Sequence, residues 1–229
     1  MIRDESLRTA SRTPSRTTEG DQPFLVDLSD DAAVRPGLVG GKAAALARGA
    51  VAGLATLPGV VLTTRFCDAI DGGAQVAQHP AVREAFERAR GDEQALVARS
   101  SSVVEDTATS SMAGQFESII GISGFDALVI AVPAVLDSRR RASATGHPIA
   151  VLVQPLIEPM FGGVMFGCDP VSGRSDRRVV TAVRGGPEPL VSGEVNGSKY
   201  VLDDSSVKVI EFEADAGQPS QLPSSRIRA

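Results

Sequence analysis

Two short segments hold the residue types best suited to chemistry. Gly40-Gly41-Lys42 precedes an alanine-rich run that reaches Ala52. Paired glycines admit backbone conformations closed to other residues, and a helix beginning there turns N–H groups and partial positive charge outward, a shape that suits a phosphate. It is not a Walker A loop, because G-x-x-x-x-G-K needs glycine where Pro36 stands and Ser or Thr where Ala43 stands. The second segment is Arg99-Ser100-Ser101-Ser102-Val103-Val104-Glu105-Asp106, followed by Ser110-Ser111-Met112-Ala113-Gly114-Gln115-Phe116-Glu117-Ser118. An arginine at a strand end forks onto two phosphate oxygens, while hydroxyls and a glycine-containing loop add donors and close backbone approach. Each segment also has a plainer account. Lys42 is then a solvated side chain after a turn, and the serines form a surface loop with an ion pair from Arg99 to Glu105 or Asp106.

Other chemistries find less support. Cys67 and Cys168 are the two cysteines, far apart and outside any C-x-x-C pair, so a zinc or disulfide framework is not expected. His79 in Gln-His-Pro and His147 in Gly-His-Pro read as ordinary surface or loop histidines. Lys and Arg total 23 against 28 Asp and Glu, a formal net charge of -5, which disfavours nucleic acid and anionic membranes as general partners. The Arg139-Arg140-Arg141 cluster reads as a solvated helix end. The apolar stretches Val51 to Leu62 and Ala127 to Leu136 are both interrupted by proline and fall short of the roughly 18 residues a membrane helix needs.

The elements that must position these residues follow from composition and periodicity. The alanine-rich run predicts a helix from Gly40-Gly41-Lys42 to Ala52, closed by Gly53. Gly59 to Thr64 predicts a buried strand, Pro80 to Arg90 a helix with proline in its first turn, and Ala95 to Ser101 and Glu117 to Ile122 two strands. Phe125 to Arg141 reads as helical, with Pro133 expected to kink it or to mark its true start. From Ile149 the texture changes to short β-rich runs, IAVLVQPLI, GGVMFG, RRVVTAV, SKYVLD and VKVIEF, separated by turn residues, which predicts an antiparallel sheet. The expected organisation is a disordered arm over 1–22, a helix-rich αβ lobe over 23–146, a β-rich lobe over 147–212 and a flexible tail over 213–229. This is an α+β fold with a cleft between its lobes.

VARSSSVVED with SSMAGQFES resembles the RSSAxxED and SxAGQxxS signature of the ATP-binding, ATP-grasp domain of phosphoenolpyruvate synthase and pyruvate phosphate dikinase, a domain shared by rifampicin phosphotransferases. VGGKAAAL and PGVVLTT are similar to that family's GGKxxxL and PPGFxxTT, and VLVQPLIEPMFGGVMFGCDPVSG to its VxVQxMVxxxxxGVxFTxDPxxG. The four motifs stand in family order from about Leu38 to about Asp203. The resemblance implies that Lys42 and Arg99 contact phosphates, that Gly114 and Ser118 belong to a loop closing over the nucleotide, and that Gln154 to Leu156 lie at the adenine edge. It also implies an ATP-dependent, kinase-like phosphotransferase in the cytoplasm. Asp169-Pro170-Val171-Ser172-Gly173 resembles a family hairpin, and turn chemistry alone accounts for it.

Departures from the family shape the functional expectation. The stretches between Thr64 and Arg99 and between Ser123 and Gln154 are compact, and Arg184-Gly185-Gly186-Pro187-Glu188 stands where the family has G-L-G-E. The family's metal-binding glutamate and Gln-x-Arg-Pro segment are not found after the sheet, so the Mg2+ implied by the resemblance has no evident protein ligands, and adenine recognition is expected to suffer less than triphosphate positioning. The phosphoacceptor histidine motif is likewise not found. The expected function is the ATP-binding part of a phosphotransferase that passes phosphate to a histidine domain not present in this chain, supplied by another chain or lost by truncation. The alternative is a non-catalytic nucleotide-binding or regulatory protein that retains the fold.

Overall fold

The computed structural model describes residues 22–102, 106–107, 110–111, 118–141, 148–203, 205 and 209–213. Apart from residues 22 and 213, the expected arm and tail lie outside the described residues, as do Glu105, Gly114 and His147. The chain divides into two compact units, one ending at Leu156 and the next beginning at Ile157.

The first unit contains β1 (Leu25–Asp27), α1 (Pro36–Val51), β2 (Val60–Leu62), α2 (Thr64–Asp71), α3 (Pro80–Arg88), β3 (Leu96–Ser102), β4 (Asp106–Thr107), β5 (Ser110–Ser111), β6 (Ser118–Ile122), α4 (Phe125–Arg141) and β7 (Ile149–Pro155). Five strands form a sheet in the order β1-β2-β7-β3-β6, with every neighbouring pair antiparallel. β2 and β3 therefore run in the same direction, with β7 filling the slot between them. This moves the division expected near Gly146 to the far side of β7. The strand looks like the start of a new β-rich lobe because it follows a polar turn, yet its partners are Val60 to Leu62 and Leu96 to Ser102. All residues from Ile149 to Gln154 are buried, so the run is continuously apolar up to Gln154 rather than alternating.

The sheet has a core on each face. α2, α3 and α4 place Phe66, Phe86, Leu128 and Val132 against Leu62, Leu96, Val151 and Val153. On the other face α1 places Ala43, Ala44 and Ala47 against Val61, Ala150 and Leu152. Each large side chain removed from water in these layers contributes about 1.5–3 kcal/mol. Small alanines let α1 approach the strands closely.

Two helices depart from expectation. The strand predicted through Thr64 stops at Leu62, because Thr63 caps α2 by accepting from the Phe66 N–H at 3.5 Å. α4 runs unbroken from Phe125 to Arg141 with Pro133 in its interior, so proline neither breaks the helix nor starts it. Leu128, Val132, Val135 and Leu136 form a buried stripe that spans the proline, and packing along that stripe offsets the lost N–H.

His79 is more constrained than a plain loop histidine. Its Nδ1 caps α3 by accepting from the Ala81 N–H at 3.2 Å. The ring lies edge-on to Phe24 and Phe66, with centroids 4.8 and 4.9 Å away. Burial lowers its pKa, so the folded state prefers the neutral imidazole. Stability from this residue is fully present above the unfolded-chain value of about 6.5 and declines as pH falls below it. Thermal melts between about pH 7.5 and 5.5 should therefore slope less for His79→Asn, which keeps a cap acceptor without titrating. Parallel curves for the two proteins would refute this.

The second unit contains β8 (Phe161–Phe166), β9 (Arg177–Arg184), α5 (Glu188–Val191), β10 (Ser198–Asp203) and β11 (Val209–Glu213). Its four strands pair as the expected antiparallel meander, β11-β10-β9-β8. The turn between β8 and β9 is held by Asp169, which accepts from the Ser172 hydroxyl and the Val171 N–H. Those bonds, Ser172 first, hold its carboxyl below the ordinary range.

Candidate functional site

The two chemistry-bearing segments meet in the first unit. Within α1 the backbone leaves helical geometry at Gly40, with φ 76° and ψ 170°, so the helical run that carries Lys42 begins after that residue. A side chain at Gly40 would place its Cβ 2.0 Å from the Ser101 carbonyl oxygen, and one at Gly41 would lie 3.1 Å from that of Ser102. The paired glycines thus serve close approach as well as conformational freedom. Lys42 Nζ donates to the Ser100 carbonyl at 2.9 Å, and the Ala43 N–H donates to Ser101 Oγ at 3.0 Å. Segments 58 residues apart become one junction of helix start and strand end. The Ala43 N–H, which the sequence alone offers to an anion, is occupied by Ser101.

Strand register then places the remaining residues. Arg99 pairs with Leu152 on one side and with Ser118 on the other, Ser101 pairs with Ala150, and Val97 with Gln154. Directly paired residues share a face, and residues two apart on a strand do as well. Leu152 and Ala150 belong to the core beneath α1, so Arg99, Ser101, Ser118 and Gln154 lie on the face that α1 packs against. Arg99 is half-buried and Ser118 exposed. The fixed cation of Arg99 and the half-buried Lys42 are thus carried on the α1 side of one sheet, an arrangement that suits a polyanion.

Gln154 and Leu156, the residues expected at the adenine edge, each make hydrogen bonds within the first unit. Gln154 is 3% exposed, and its Nε2 donates to the Leu57 and Pro58 carbonyls, both at 3.3 Å. It braces the loop before β2. Leu156 is half-buried and its N–H donates to the Ala95 carbonyl at 2.8 Å. Gly114 lies outside the described residues.

Two hydroxyls of the serine run, read from the sequence as donors to phosphate, are buried. Ser101 is wholly buried and bonded, while Ser100, also wholly buried, has a hydroxyl without a partner. Three consecutive serines signal polarity, but only the strand's alternation separates their roles. Cys67 is buried and Cys168 exposed, and neither forms a disulfide. Among the described residues no group of three or more His, Cys, Asp or Glu is placed to hold a metal ion. None of the described helices is long and apolar enough to cross a membrane.

Fold and site together define an α+β protein with a lysine and an arginine gathered on one face of an antiparallel sheet at a glycine-opened helix. Residues 75–219 match the family described as pyruvate phosphate dikinase, AMP/ATP-binding domain, and the chain belongs to that family. It is 31% identical over 219 residues to the prodigiosin synthesizing transferase PigC of Serratia marcescens, covering 82% of this chain and 24% of the relative. It is 30% identical over 131 residues to the phosphoenolpyruvate synthase of Aeropyrum pernix, covering 52% of this chain and 16% of the relative. Against the phosphoenolpyruvate synthase of Escherichia coli it is 30% identical over 148 residues, covering 58% of this chain and 19% of the relative. The chain spans about a quarter or less of the length of these relatives.

Proposed function

We propose that this chain binds ATP and is the ATP-binding part of a kinase-type phosphotransferase of the phosphoenolpyruvate synthase and pyruvate phosphate dikinase kind, with an ATP-grasp architecture. The observation that carries the reading is the junction at which Lys42 reaches the Ser100 carbonyl while Arg99 stands one residue earlier on the same strand. Lys42 supplies a compact charge and Arg99 a planar fork, and both meet phosphate oxygens. Their contribution is positioning and neutralisation of charge on the phosphoryl groups, and neither acts as a nucleophile. Ser118, paired with Arg99, and the loop carrying Gly114 cover the phosphates, and the segment from Gln154 to Leu156 lies at the adenine edge. With Gln154 Nε2 bound to loop carbonyls, adenine contact there falls to apolar surface and backbone. The family implies Mg2+, an ion ordinarily held by one or two carboxylates together with phosphate oxygens, and the contribution proposed here for the described residues is that of Lys42 and Arg99.

The phosphate passes to a histidine domain carried elsewhere, and the work is done in the cytoplasm. Titration of the purified chain with ATP by calorimetry tests the binding, with Lys42→Ala and Arg99→Ala alongside. Saturable binding that both variants weaken is the expected result. Wild-type binding no tighter than that of the variants would sink the reading. Binding without AMP formation, even with a phosphohistidine-domain protein added, would instead favour a non-catalytic nucleotide-binding protein.

A further inference from the structure

Resting on that reading, we propose that Ser101 is a positioning residue of the ATP site: its hydroxyl caps, from a neighbouring strand, the helix that carries Lys42. A helix start is ordinarily capped by the side chain of the residue just before it. That residue is Gly40, which has no side chain, and one cannot be added because its Cβ would lie 2.0 Å from the Ser101 carbonyl oxygen and 2.4 Å from Ser101 Oγ. Ser101 takes over the role, accepting from the Ala43 N–H at 3.0 Å with both residues wholly buried. The same strand, two residues earlier and on the same face, carries Arg99. One strand therefore bears the arginine and fixes the register of the helix that bears the lysine. This bond and that from Lys42 to the Ser100 carbonyl both tie the lysine's helix to the arginine's strand.

Ser100 supplies an internal control. It is equally buried, its hydroxyl has no partner, and its contribution to Lys42 comes from a backbone carbonyl that substitution leaves in place. Removing the Ser101 hydroxyl strands the Ala43 N–H and lets the helix start shift along the strand, which disturbs phosphate contacts and not adenine contacts. Removing the Ser100 hydroxyl deletes an unpaired polar group and nothing else.

The test is calorimetric titration of wild type, Ser101→Ala and Ser100→Ala with ATP and, separately, with adenosine, each sample first checked by thermal melting. Ser101→Ala should weaken ATP binding about tenfold while leaving adenosine binding unchanged, a loss at the upper end of what one neutral hydrogen bond contributes. Ser100→Ala should bind both ligands as wild type does and melt at the same or a higher temperature. The ratio of ATP to adenosine affinity is the decisive quantity, since a purely structural role moves both together. If Ser101→Ala binds ATP as wild type does, loses both ligands in parallel or fails to fold, the positioning role is overturned while the ATP-binding reading stands. If the wild type itself binds no ATP, the reading beneath it falls and the positioning role with it.

Discussion

Gly40→Ala is expected to cost the first unit more than about 4 kcal/mol, enough to unfold it if its stability is at the low end of the usual range. The added Cβ meets the Ser101 carbonyl carbon at 2.3 Å and its oxygen at 2.0 Å, so it collides with backbone of a central strand rather than with a side chain that can swing away. Gly40 also sits at φ 76°, where an L side chain is strained. Gly53 separates the two effects. It has φ 82°, but nothing lies within 4 Å of its would-be Cβ, so Gly53→Ala should cost only about 1 kcal/mol of conformational strain. Urea unfolding followed by circular dichroism gives both values. Losses of similar size would mean that the close packing of helix start against strand end contributes little.

Arg99→Ala should weaken ATP binding by about 10- to 100-fold, the loss expected for charge-assisted bonds worth about 1.5–3 kcal/mol. Adenosine binding and the unfolding midpoint should change little, since Arg99 is half-buried with its strand held on both sides by backbone pairing to Leu152 and Ser118. Arg99→Lys should recover only part of the affinity, because an ammonium keeps the charge and loses the planar fork. The salt dependence should fall with the charge: wild-type affinity for ATP drops more between low and high ionic strength than that of Arg99→Ala. Equal ATP affinities for wild type and Arg99→Ala would remove Arg99 from the site.

Much of the fold is legible in the residues. The alanine run of α1, the proline opening α3 and the strands around Arg99 and Ser118 all announce themselves locally, and the meander from Phe161 to Glu213 follows from short apolar runs between turns. α2 was missed because Thr63 and Thr64 carry strand propensity, and only the bond from the Phe66 N–H to the Thr63 hydroxyl shows that one of them is a cap. Pro133 misled because a local rule was outweighed by the buried stripe running past it.

The sequence by itself determined the α+β class, the family and the two segments in which Lys42 and Arg99 stand, because glycine pairs, serine clusters and apolar runs are local properties of a chain. Tertiary structure alone decided what those residues do to one another. The insertion of β7 between β2 and β3 sets the end of the first unit at Leu156, and that pairing joins residues about 90 positions apart in the register of Val60 with Val153. It turns Gln154 into a buried brace, gives Ser101 rather than Gly40 the capping of the Lys42 helix, and leaves the Ser100 hydroxyl unpaired beside it. The physical reason is the same in each case: a hydrogen bond or a shared face between distant residues depends on strand register, and register is set by the packed sheet as a whole.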